Sequence, residues 1–192
     1  NLDLWPESLS ATGAITSSRA LSLVRQIVRF IYRRCDRLLV SSRGFVQSIR
    51  QTGGYSREIV YFPNWVEPEY LAKPENTKSE LPALPTGFRV MFAGNIGAAQ
   101  DFETILSAAE ILKGQPEINW VIIGDGRMLD WVWGEVARRG LEKQFHMLGR
   151  YPADMMPLFF AQADTLLMTL KREPIFSLTV PGKLQSYMAS GK

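Results

Sequence analysis

Apolar and polar positions along this chain follow two alternating rhythms. Short runs rich in aliphatic and β-branched residues read as strands: Arg37–Ser41, Glu58–Phe62, Phe88–Ala93, Asn119–Ile123, Phe145–Leu148 and Thr165–Met168. Between them lie segments of helical period. Thr16, Ser17 and Ser18 offer N-cap oxygens for a helix to about Arg34, with Leu21, Val24, Ile27, Val28 and Ile31 on one face. A helix over Gly44–Thr52 stops at Gly53 and Gly54. A third, over Asp101–Lys113, carries Phe102, Ile105, Leu106, Ala109 and Leu112 on one side and ends at Gly114. Further helices are expected over Met128–Arg139, around Pro157–Gln162, and over Leu184–Ala189. Asn1 to Ser8 reads as a strand end running into a loop, punctuated by Pro6. Strands that alternate with helices mean crossover connections, so the fold class is α/β with a parallel sheet. The proline-rich stretch holding Pro63, Pro68, Pro74, Pro82 and Pro85 has no periodicity and marks a boundary, with domains over 1–67 and 86–192 and a linker over 68–85.

Composition narrows this picture. The chain has 192 residues and 46% apolar content, enough for a true core, and no apolar run approaches a membrane span. A single cysteine, Cys35, excludes a disulfide framework and a cysteine metal site, and fits a reducing compartment. The chain opens in mid-pattern and closes on what reads as a helix terminus, so a piece of a longer protein is expected. The net charge of +3 is uneven: seven arginines against Asp36 give residues 19–43 a charge of +6, leaving −3 elsewhere. Arg25, Arg29 and Arg33 fall four apart and form one stripe. This is either a solvated basic face or a membrane-facing patch for anionic lipid. The basic segment has no interleaved aromatics, and no nucleic-acid partner is expected.

The candidate chemistry lies where strands end in glycine. Val121-Ile122-Ile123-Gly124-Asp125-Gly126 and Val90-Met91-Phe92-Ala93-Gly94-Asn95-Ile96-Gly97 both run from a buried strand into a glycine turn. Such turns stand at the carboxyl edge of an open sheet, where ligands bind, and let backbone amides approach a phosphate. Neither completes a dinucleotide fingerprint, since Leu129 stands where a third glycine is needed, and no Gly-Lys-Ser/Thr phosphate loop exists. A dehydrogenase and a P-loop ATPase are thereby disfavoured. Lys183, following Pro181 and Gly182 at the mouth of the last helix, adds a positive charge suited to a diphosphate. His146, within an apolar run, reads as a structural strand residue.

Taken in order, these motifs resemble a family 4 glycosyltransferase. The resemblance is carried by Phe92–Gly97, Val121–Gly126, Leu148-Gly149-Arg150, Ala163-Asp164, and Pro181-Gly182-Lys183-Leu184 with Tyr187–Lys192. Upstream, Cys35–Ser41 and Phe62–Glu67 match the same pattern. Asp3–Leu9 is similar to bacterial members that build surface polysaccharides, including fucosamine transferases of O-antigen or capsule assembly. The resemblance implies a GT-B fold: Rossmann-like parallel sheets with helices on both faces. Residues to about 67 would be the tail of the N-terminal domain, and 86–192 most of the donor domain. It implies a retaining transferase that moves a sugar from a UDP- or GDP-linked donor to a lipid-linked glycan acceptor in lipopolysaccharide or capsule synthesis. No cofactor and no metal are implied. The expected location is cytoplasmic, peripheral on the inner membrane face.

By position, donor contacts fall to Gly94, Asn95, Gly124, Leu148, Gly149, Arg150 and Lys183, and the acceptor side to Trp5 and Glu7. The catalytic groups are expected before residue 1, so the piece alone should be inactive. The glutamate pair that many members carry is absent, with Leu178 and Ser186 at those positions, and Asn95 and Asp101 replace the usual Arg and Lys of the first glycine turn. Two other readings stay open: a non-catalytic nucleotide-sugar-binding module, and a membrane- or partner-docking module built on the arginine helix.

Overall fold

The computed structural model describes residues 4–71 and 81–192. Of Asn1–Ser8, read as a strand end running into a loop, residues 1–3 lie outside the described residues, as does the part of the proline-rich stretch that holds Pro74, while Glu7 and Ser8 are helical. The chain forms two compact units, Asn1–Trp65 with Lys171–Gly182, and Val66–Leu170 with Lys183–Lys192.

The first unit contains α1 (Glu7–Ala11), α2 (Ser18–Arg34), β1 (Leu38–Val40), α3 (Phe45–Gly53), β2 (Ile59–Tyr61) and, from the later segment, α7 (Pro174–Leu178). β1 and β2 pair in parallel, Leu38 opposite Ile59. Ser17 caps α2, its hydroxyl accepting from the Ala20 amide, as its side-chain chemistry favours. Gly54 ends α3 in a left-handed conformation. Leu4, Val28, Tyr32, Leu38, Val40, Phe45, Ile49, Tyr55 and Ile175 make the core. The face of α2 that enters it is Val28 and Tyr32, with Val24 and Cys35 packed against them. Ile27 and Ile31, expected on the packed side, are half exposed. The helix carries apolar residues around more than half of its circumference, so periodicity could not say which part is covered.

The second unit contains β3 (Phe88–Ala93), α4 (Phe102–Ile111), β4 (Ile118–Ile123), α5 (Leu129–Arg139), β5 (Phe145–Gly149), α6 (Met156–Gln162), β6 (Thr165–Leu166) and α8 (Lys183–Ser190). Its sheet is parallel throughout, ordered β5-β4-β3-β6. Successive strand side chains point to opposite faces, and here both are covered. Val90, Phe92, Trp120 and Ile122 pack with Ile105, Leu106, Val132 and Val136 of α4 and α5. Met91, Ala93, Val121 and Ile123 pack with Phe159 and Phe160 of α6 and Tyr187 of α8. Arg139, its side chain only 5% exposed, ties α5 to α4 through Glu103 at 2.5 Å and Glu110 at 3.5 Å, and is held within α5 by Glu135 at 2.9 Å.

Strand and helix order agree with the sequence reading. Two five-residue helices, α1 and α7, were not expected; they are too short to show a period. The sequence also ran the second domain unbroken from 86 to 192, whereas residues 171–182 belong to the first unit. The reason is apolar: Ile175 is buried in that unit's core, with Phe176 and Leu178 against it.

Candidate functional site

Each unit holds a cleft of about the same size that includes residues the sequence singled out. In the second unit the cleft lies at the carboxyl ends of β3 and β4. Its volume is ≈ 800 Å³, and Gly94, Asn95, Ile123, Gly124, Asp125, Arg150, Tyr151, Pro152, Ala153 and Met156 line it. Strand order reverses at β3, between β4 and β6, and this is where open α/β sheets bind ligands.

Backbone hydrogen bonds stitch the two glycine turns together. The Gly94 amide donates to Ile123 at 2.9 Å, the Ile96 amide to Asp125 at 2.8 Å, and the Gly124 amide to Gly149 at 2.8 Å. Gly124 has φ +140°, and a Cβ there would collide with the carbonyl oxygen of Gly94. Gly94 has φ +144°, and its Cβ would stand 2.7 Å from the Lys183 amine. Both turns therefore require glycine, and the chain approaches itself as closely as backbone allows.

Lys183 opens α8 and folds back over the sheet. Its Nζ lies 3.9 Å from the centre of the Phe92 ring, is inaccessible to solvent and has no hydrogen-bond partner. Burial depresses its basicity to about 8. One helical turn on, the Tyr187 hydroxyl donates to the Ala93 carbonyl at 3.0 Å and accepts from the Ala93 amide at 2.8 Å. Burial pushes that phenol up to about 12, against the opposing pull of the Ala93 hydrogen bond. Tyr187 thus fixes the end of β3, from which the first glycine turn springs.

Of the seven donor-side residues read from the sequence, Gly94, Asn95, Gly124 and Arg150 reach the cleft wall, and Lys183 stands against Gly94. Leu148 instead packs against the α6 core, and Gly149 contributes its carbonyl to Gly124. Tyr151, Met156 and Asp125 were missed. The first two follow directly from Leu148-Gly149-Arg150, so extending that motif by one loop would have found them. Ser186 is buried and donates to the Lys183 carbonyl at 2.9 Å, so its hydroxyl is turned into its own helix. His146 takes the structural part assigned to it: Nε2 lies 3.0 Å from Asn119 Oδ1, and burial lowers its basicity.

The first unit's cleft, ≈ 790 Å³, is lined by Pro6, Glu7, Ser10, Arg25, Gln47, Ser48, Gln51 and Glu173 over Leu21, Ile175 and Leu178. Glu7 is therefore placed among amides, a second carboxylate and a guanidinium, a set suited to a ligand rich in hydroxyl groups. Trp5 is half exposed beside Pro6. The arginine stripe divides. Arg25 lines this cleft, Arg29 Nε donates to the Thr52 carbonyl at 2.7 Å, and Arg33 lies with Phe30 and Arg34 in a smaller groove of ≈ 480 Å³. Among the described residues no three of His, Cys, Asp and Glu converge as metal ligands.

The chain is similar to known proteins. The chain is 33% identical over 198 residues to a probable glycosyltransferase, WbjE, of Pseudomonas aeruginosa, covering 99% of this chain and 48% of that protein. It is 25% identical over 189 residues to the putative colanic acid biosynthesis glycosyl transferase WcaI of Escherichia coli K12, covering 95% and 46%. The chain spans about half the length of these curated relatives. Among solved structures, Anabaena HepE in complex with UDP and glucose superposes with a TM-score of 0.62 at 18% identity, over 92% of this chain and 47% of that one, a likeness of fold. The profile of the family described as Glycosyl transferases group 1 matches residues 75–179, more than half of the chain. With the glycine turns, the parallel sheet and Lys183 in the places described, the chain belongs to the group 1 glycosyl transferases, of GT-B fold.

Proposed function

We propose that the protein is a retaining glycosyltransferase that moves a sugar from a nucleotide diphosphate to a lipid-linked glycan in bacterial lipopolysaccharide or capsule assembly. The observation that carries this is the second unit's cleft, where two glycine turns bare backbone beside an unpaired buried lysine. Gly94, Asn95, Gly124 and Lys183 take the diphosphate, and Arg150 with Tyr151 and Met156 borders the base. Similarity to WcaI, a putative colanic acid biosynthesis enzyme, supports polysaccharide synthesis, and the UDP in the HepE structure supports a uridine donor. Glu7 and Trp5 face the acceptor. In this reading the donor's own phosphate oxygen assists the attacking hydroxyl. The chain then contributes chiefly positioning and stabilisation of the leaving diphosphate. No metal ion takes part, and a chelator leaves donor binding in place.

The protein works at the cytoplasmic membrane face. No helix among the described residues is long and apolar enough to cross a membrane. α2, however, has no acidic residue and exposes Leu23, Ile27, Phe30 and Ile31 next to its arginines. That combination suits the surface of an anionic bilayer.

Thermal melting with nucleotides tests the donor site. UDP at a hundredfold excess over its dissociation constant should add about 2.7 kcal/mol of stability. Lys183→Ala should weaken UDP about ten- to a hundredfold, the worth of one charge-assisted contact, and leave uridine unchanged. Absence of a shift with UDP, GDP and ADP at millimolar concentration would overturn the reading.

A further inference from the structure

Among the described residues only two buried side-chain nitrogens lack a hydrogen-bond partner, Arg89 Nε and Lys183 Nζ. Arg89 has the Asp164 carboxylate 3.5 Å away. Lys183 has no anion at all. Resting on the donor-site reading above, we propose that Lys183 is a proton-coupled receptor for phosphate. Its amine, held unpaired between the Phe92 ring and Gly94, is partly neutral in the ligand-free protein at mildly alkaline pH, and that neutral fraction takes a proton from solvent as a diphosphate arrives.

The physical argument begins with burial. An ammonium removed from water without a hydrogen bond or counter-ion is strongly disfavoured against the neutral amine. The Phe92 ring face offers the cation a partial substitute for water, weaker than the hydration it replaces. The surroundings supply no compensating charge. Titratable groups on the elements around the amine are Tyr187 on α8, Arg89 on β3, Asp125 in the turn after β4, Arg150 on the cleft wall, and Glu67, Glu69 and Tyr70 at the 3-10 turn Pro68–Tyr70 that packs on α8. Tyr187 is hydrogen-bonded to Ala93, and Asp125 accepts from the Gly126 amide at 2.7 Å. α6, which also packs on α8, carries no ionisable side chain. Burial alone accounts for the lowered basicity, and no carboxylate opposes it.

A pyrophosphate beside Gly94 reverses this balance. It brings the missing counter-charge to the amine, and the charged form becomes the favoured one. The proton comes from solvent, so one is consumed for each neutral lysine converted. Two consequences follow. Affinity for phosphorylated ligands falls as pH rises past the basicity of the free amine, and affinity for the nucleoside does not. The lysine also discriminates by charge: a ligand that lacks phosphates leaves its protonation unchanged and gains nothing from it.

Calorimetric titration of UDP into the protein at pH 8, in two non-phosphate buffers of different ionisation enthalpy, measures the proton directly. With the free amine at about 8, roughly half a proton should be taken up per UDP bound at pH 8 and about a tenth at pH 7. UDP affinity should fall about tenfold between pH 7 and pH 9, and uridine should show neither effect. Lys183→Arg, whose guanidinium stays charged, should bind UDP with no proton uptake, with melting curves confirming that it folds. UDP binding by the unaltered protein with the same enthalpy in both buffers would overturn the proposal and leave the donor site standing. Uptake that persists in Lys183→Arg would assign the proton to another group and overturn it equally. Failure of UDP to bind at all would overturn the donor-site reading itself.

Discussion

The two units contrast in how they treat their sheets. In the second, four parallel strands are covered on both faces, and Phe92, Met91, Ile122 and Val121 are all essentially inaccessible. In the first, two three-residue strands are covered on one face: Leu38 and Val40 are buried, whereas Leu39 between them is 44% exposed. Tyr61 and Phe62 at the end of β2 are exposed as well, and α2 presents a second apolar stripe to solvent. A parallel sheet gains its stability by burying both faces, so the first unit keeps a larger share of apolar surface in water. Completeness also has a chemical consequence. Against the doubly covered sheet the Lys183 amine lies out of contact with solvent and without a hydrogen-bond partner.

Paired deletions of apolar mass test the contrast most severely. Phe92→Ala should destabilise the protein by about 3–5 kcal/mol, whereas Leu39→Ala, on the uncovered face, should stay within about 0.5 kcal/mol. Chemical denaturation of both variants checks this, and equal losses would remove the distinction between the units. The next effect has the opposite sign. Burial lowers Lys183 in the folded state from the ordinary 10.5 to about 8, so between those pH values the unfolded chain binds the additional proton and stability rises with pH. The penalty is fully present below about pH 8 and has gone by about 10.5. Lys183→Met, which keeps the volume and drops the charge, should therefore stabilise the ligand-free protein at pH 7 by roughly 2–3 kcal/mol. That gain should fade on raising the pH. A melting-temperature series from pH 7 to pH 10 reads it, and a loss of stability at pH 7 would show that the amine has a partner. The smallest effect concerns α2. Ile27→Gln combined with Ile31→Gln should change stability by no more than about 0.5 kcal/mol, yet weaken sedimentation with anionic vesicles. A fall of several degrees in melting temperature would instead mean that this stripe is packed.

Much of the second unit was legible in the sequence. β3 runs over the residues expected, and the glycine turns after β3 and β4 stand at the cleft wall. Local signals suffice there, because a strand buried on both faces is apolar throughout and a turn that admits only glycine declares itself. The first unit was read less fully. α1 and α7 span fewer than two turns, so no periodicity could mark them. The direction of Arg29 depended on where the Thr52 carbonyl lies, 23 residues along the chain.

The sequence by itself determined the alternation of strands and helices, the glycine turns, the basic helix and the lysine that opens α8, since each rests on residues within a few positions of one another. Only the tertiary structure decided that residues 171–182 join the first unit, that Arg25 lines a cleft and Arg29 bonds the Thr52 carbonyl, and that Tyr151 and Met156 complete the other cleft. It alone decided that Lys183 is buried without a partner. Those outcomes come from contacts between distant segments, where the energy of burial outweighs local preference. A lysine's charge is written in its codon, but its solvation is set by what folds around it.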